Sequence, residues 1–187
     1  MKGAAWIIGI LVVALIIVSW YVNGLNRVVR LNQGVNGAWA NVEAQLQRRN
    51  DLVPNLVETV KGYAKHESSV FEEVTKLRSG WTGATTKEEK IENAKAMTGA
   101  IGRLLLVAEN YPQLRATENF QTLQAQLEGT ENRIAVERQR YNDSVKAFDT
   151  YINEVFGKFF AKRRGLDKPA PYFEAEAAAK KAPEVKF

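Results

Sequence analysis

The chain has 187 residues, 45% of them hydrophobic and 25% charged, with a formal net charge of +5. This is enough for one domain with a core, it is not the composition of a disordered chain, and the mild basicity falls short of a nucleic-acid-binding footprint. Cysteine is absent from the sequence, which excludes disulfides, thiolate zinc sites, a cysteine nucleophile and a lipoprotein acylation site.

The first element is uncharged from Ala4 to Val22 (AAWIIGILVVALIIVSWYV). At about 1.5 Å per residue it reaches roughly 28 Å, close to a hydrocarbon thickness of about 30 Å. Trp6 at one end and Trp20 with Tyr21 at the other place amphipathic rings at the two membrane interfaces. A cleaved signal peptide fits less well, because the run exceeds an h-region of about 7–15 residues and the exit SWYVNGLNR offers no small-x-small site. Residues 1–24 therefore read as a single-pass anchor in the lipid bilayer. Lys2 lies on one side and Arg27, Arg30, Arg48 and Arg49 on the other, so the positive-inside rule points to a cytoplasmic C-terminal domain with the N-terminus outside.

Beyond the anchor, Leu25, Val28, Val35, Trp39, Val42, Leu46, Val53, Leu56, Val60 and Tyr63 alternate steps of three and four, with Asn32 and Arg49 filling the gaps. That seven-residue repeat predicts a long helix continuing from the span. Pro54 falls inside it and predicts a kink; the alternative is a break at Asp51, which would cap a new helix. A second arm starts near Ser68 (Val70, Phe71, Val74, Leu77) and resumes from Ile91 to Ala108, with the Gly/Thr-rich stretch 79–87 read as a loop or bulge within it. Asn110-Tyr111-Pro112 ends that arm. A third repeat follows: Phe120, Leu123, Leu127, Thr130, Ile134, Tyr141, Val145, Phe148, Ile152, Val155 and Phe159.

The fold predicted is all-α, an N-terminal transmembrane helix continuing into an elongated antiparallel bundle of three to four long helices over 25–165. After Gly165 the segment LDKPAPYFEAEAAAKKAPEVKF reads as a tail over 166–187 with a short alanine-rich helix. It docks on the bundle or meets a partner through Tyr172, Phe173 and Phe187.

The segments RRNDLVPNLVETVKGYAKHE at 48–67 and NFQTLQAQLEGTENRIAVERQRYNDSV at 119–145, with the closing APEVKF, resemble the bacterial LemA family over essentially the whole chain. The resemblance implies a helical bundle on a membrane anchor with its C-terminal domain in the cytoplasm. It brings no catalytic residues.

A carboxylate-bridged dimetal site in a bundle needs Glu-x-x-His, but the single histidine, His66, has Tyr63 three residues before it. His66 reads instead as a surface or capping residue. Neither Gly-x-Ser-x-Gly nor a phosphate loop occurs, so no catalytic, cofactor or metal residue is assigned. The most informative polar cluster is Arg48, Arg49, Asp51 and Asn55 on the first arm against Glu128, Glu131, Asn132 and Arg133 on the third. Because Arg49 holds a core-phase position, the cluster reads as an inter-helix network fixing register or an assembly contact, unless Arg49 snorkels from a loose seam. The basic and aromatic KFFAKRRGLDK at 158–168 is read as a helix C-terminus dressed with cations, since in a three-arm bundle this end points away from the membrane.

These features predict a noncatalytic scaffold of the bacterial cytoplasmic membrane that forms a homo-oligomer. The alternative is an adaptor or regulator of a membrane protein partner, such as an envelope quality-control protease.

Overall fold

The computed structural model describes residues 2–64 and 66–174, with side chains from residue 6 onward. The proposed Phe187 contact and the alanine-rich helix lie outside the described residues. Among the described residues the structure is all-α, with six helices: α1 (Lys2–Lys61), α2 (Ser68–Gly83), α3 (Lys87–Glu109), α4 (Pro112–Arg115), α5 (Glu118–Asn153) and α6 (Val155–Arg164).

Helix α1 runs through Pro54 without a break, so Asp51 does not cap a new helix. A proline costs the helix one backbone hydrogen bond. Burial of Val53, Leu56, Val57 and Val60 on both sides of Pro54 offsets that loss, since each fully buried side chain of this size contributes about 1.5–3 kcal/mol.

The stretch 79–87 is not a loop within one arm. Helix α2 continues to Gly83 because Trp81 is buried and its Nε1 donates to Gln47 Oε1 at 3.1 Å. The hydroxyls of Ser79 and Thr82 donate to carbonyls four residues back, so they do not compete with the helix from outside. Reversal comes at 84–86. Ala84 is extended, and Thr86 starts α3 through a capping box in which its side chain accepts from the Glu89 N–H while the Glu89 carboxylate accepts from the Thr86 N–H. α2 and α3 then pair antiparallel, with Asn93 Nδ2 donating to Leu77 O at 2.8 Å and Arg103 salt-bridged to Glu73. They form a hairpin, not a single interrupted arm.

The chain groups into two compact units. One contains α1 from Ala40, then α2, α3, α4 and α5 as far as Gln139, together with residues 171–174. In it α3 runs parallel to α1, as the Lys90–Glu43 salt bridge and the Arg49–Ala94 contact require, while α2 and α5 run antiparallel to it. The result is an up-down-up-down four-helix core around Leu56, Val60, Val74, Met97, Leu104 and Leu114.

The other unit contains α1 up to Trp39 and residues 140–170. Here α5 descends along α1. Trp39 meets Tyr141 edge-on at 5.4 Å, the Tyr151 hydroxyl donates to Gly24 O at 3.3 Å, and the Arg27 guanidinium lies 4.6 Å over the Tyr151 ring. Val28, Val35, Val145 and Phe148 fill the seam.

The expected third repeat stops early. Val155 and Phe159, predicted as core, are 84% and 52% exposed. The helix breaks at Glu154, whose extended ψ of 153° resets the phase, so Gly157, Phe160 and Ala161 face inward instead. Gly157 is required there: a Cβ on it would lie 1.8 Å from the Tyr151 carbonyl oxygen. Helix α6 ends at Gly165, left-handed at φ 65°, with Gly165 N–H donating to Lys162 O and Leu166 N–H to Ala161 O. That is a Schellman closure.

Candidate functional site

Two constellations bring chemistry-bearing side chains together, one in each unit. In the four-helix unit Arg49 is 1% exposed, the one charged side chain in the core among the described residues. Its Nη1 donates to Glu131 Oε1 at 3.1 Å and Thr98 Oγ1 at 2.9 Å, and its Nη2 donates to Ala94 O at 3.0 Å. Burial lowers the Arg49 pKa from its ordinary value and the Glu131 carboxylate works against that, with Arg138 adding to the lowering. Three helices, α1, α3 and α5, are thereby tied at one level. Thr98 also donates to Ala94 O, closing the polar seam on α3.

The rest of the predicted polar cluster is not in this seam. Arg48, Asp51, Asn55, Glu128, Asn132 and Arg133 are exposed. Asp51 accepts from Gln47 and Glu128 from Gln124, each within its own helix. Neighbours in sequence sit about 100° apart around a helix, so only one residue of each adjacent run can face the seam. Sequence reasoning read α3 as a helix but missed its place in this seam; the only signal was Thr98, four residues after a core-phase alanine. Next to Arg49, Asn50 is 3% exposed, and neither its Oδ1 nor its Nδ2 has a partner.

In the other unit α6 does not point away from the apolar end of α1. It packs against it. Trp20 meets Phe156 and Phe160 edge-on at 5.3 and 5.1 Å, and Tyr21 meets Phe159 and Phe160 at 6.4 and 5.8 Å. The three-arm geometry took α2 and α3 for one arm; because they are a hairpin of two, α5 runs back along α1 and brings α6 to the level of Trp20. The cations of KFFAKRRGLDK therefore stand beside the end of the apolar run. Trp6, at its other end, is 76% exposed.

In the tail, Phe173 is buried at 5% exposure with Arg138 4.8 Å over its ring, while Tyr172 stays partly exposed. None of the most apolar window of α1 is buried within the protein, and α1 is long and apolar enough to cross a membrane. Its exposed Ile7, Leu11 and Leu15 are what a bilayer would cover.

Fold and apolar helix together define a helical-bundle protein equipped for membrane anchoring. The chain belongs to the LemA family, whose model matches residues 38–187. It is 26% identical over 179 residues to magnetosome protein MamQ 2 of Paramagnetospirillum magneticum and 25% identical over the same length to magnetosome protein MamQ of Magnetospirillum gryphiswaldense. Each match takes in 82% of this chain and 65% of the relative, so the chain spans about two thirds of the magnetosome relatives' length. Protein LemA of Metamycoplasma hominis is 21% identical over 157 residues, covering 83% of this chain and 72% of the relative.

Proposed function

We propose that this protein is a noncatalytic, self-associating scaffold of the bacterial cytoplasmic membrane, held by residues 4–22 with its bundle on the cytoplasmic side. The observation that carries this reading is the use of Arg49. The charged side chain buried in the described core donates to Glu131, Thr98 and Ala94, and so serves helix register. Orientation is supported by charge, since Arg27 and Arg30 are joined near the end of the apolar run by the cations of α6, against Lys2 at the far end. Full-length protein purified in detergent should form a defined oligomer by mass photometry; a monomer at every concentration removes self-assembly.

A second reading, an adaptor for a membrane enzyme such as a quality-control protease, is favoured by Leu106 and Val136, which are 60% and 49% exposed on α3 and α5. Chemical crosslinking in native membranes separates the two. The scaffold gives mostly self-links and the adaptor a recurrent foreign partner.

A further inference from the structure

We propose that α6 is a second membrane element, an interfacial helix that lies on the bilayer surface beside the end of the span and binds anionic phospholipid headgroups. The proposal goes beyond scaffolding and rests on the reading of residues 4–22 as a span.

Three observations within one unit carry it. The first is level: α6 touches Trp20 and Tyr21, the aromatic pair at the end of the apolar run, through Phe156, Phe159 and Phe160. A bilayer that covers Leu15 and Val18 ends where α6 begins.

The second is exposed apolar surface. Gly157, Phe160 and Ala161 are buried toward the protein, yet Val155, Phe156 and Phe159 are 84%, 62% and 52% exposed. Large apolar side chains left open on a short helix are costly in water and favourable at the headgroup–acyl boundary.

The third is charge. Lys158, Lys162, Arg163 and Arg164 lie on the same ten-residue helix, all exposed. Arg27 and Arg30 stand about 9 and 14 Å beyond Tyr21 at about 1.5 Å per residue. With Trp20, Phe156, Phe160 and Glu154 they line a cleft of about 470 Å³. Glu154 is the acid in that lining. The aromatic side of the cleft suits an acyl chain and the two arginines a phosphate, and long basic side chains beside an apolar helix snorkel to such groups.

The sequence has no cysteine, so single cysteines at Leu11, Phe156, Phe159 and Val136 take a polarity-sensitive fluorophore uniquely. Full-length protein is reconstituted in nanodiscs of phosphatidylcholine alone or with phosphatidylglycerol, with lipids carrying a quencher in the upper acyl chain. The probes at 156 and 159 should be quenched at least about twofold more than the probe at 136, and more strongly with phosphatidylglycerol. The variant K158E/K162E/R163E/R164E should lose the phosphatidylglycerol increment while keeping its circular dichroism. Quenching at 11 with none at 156 and 159 overturns the proposal and leaves the span intact. Absence of quenching at 11 refutes the span itself. Blue-shifted emission at 156 and 159 without lipid quenching means that a second protein surface covers α6, and quenching indifferent to phosphatidylglycerol removes headgroup recognition; either result overturns the proposal.

Discussion

Replacing Glu131 with alanine probes the seam most directly, because it leaves the Arg49 guanidinium 1% exposed with only Thr98 Oγ1 and Ala94 O as acceptors. Breaking a fully buried pair costs about 3–5 kcal/mol. Glu131 is itself 36% exposed, so part of its attraction is screened, and we expect about 2–3 kcal/mol. Arg49→Met should cost less, about 1 kcal/mol, since the stranded carboxylate reaches water and the methionine keeps most of the packing. The double variant should then match Arg49→Met, a coupling of about 2–3 kcal/mol. Thermal unfolding of full-length protein in detergent, followed by far-UV circular dichroism, reads the single change as roughly a 5–10 °C fall in Tm. A Glu131→Ala protein within about 0.5 kcal/mol of the parent, or additive effects in the double variant, would refute a buried cross-helix pair.

Three further outcomes are expected. Asn50→Leu should raise stability by about 1 kcal/mol in denaturant titration, because both polar atoms of Asn50 are buried without partners and leucine keeps the same branched skeleton, its bulkier methyls offsetting part of the gain; a loss would mean that the amide is satisfied in solution. Glu89 accepts from the Thr86 and Thr85 N–H groups, which hold its pKa below the ordinary 4.5. A depressed carboxylate stabilises above its unfolded value and that contribution is lost as pH falls through the folded one, so the stability gap between wild type and Glu89→Gln should narrow below about pH 4.5. A gap constant with pH would exclude the cap. Gly157→Val should cost about 1–3 kcal/mol and red-shift tryptophan emission as α6 leaves Trp20, since its Cβ meets the Tyr151 carbonyl; unchanged emission would show that the break at Glu154 yields easily.

The long helices were legible because a seven-residue repeat survives wherever one helix face is buried without interruption. Val28, Val35, Val42, Leu46, Val53 and Leu56 are all at or below 1% exposure, at the positions the repeat marks. The errors came where local chemistry reset that periodicity. Ser79, Gly80 and Thr82 look like loop residues, but buried Trp81 carries the helix through them. Val155 and Phe159 continue the repeat in sequence, but the extended Glu154 and the close approach at Gly157 turn them outward. Arg49 was visible as a charge in a core phase. Its two partners on α3, Thr98 and Ala94, were not, because periodicity says which face is buried and not which helix lies opposite.

The contact between Tyr151 and Gly24 joins residues 127 apart in sequence, whereas the α2–α3 hairpin closes through a turn of three. Closing a longer loop costs more entropy before any packing is gained, which favours the hairpin over the seam as the earlier contact. During synthesis Val28, Val35 and Trp39 therefore stay without their mates until the ribosome has made Phe148 and Tyr151. Chains truncated before α5 ends would display that stripe at the membrane, where holdases and proteases would meet it first.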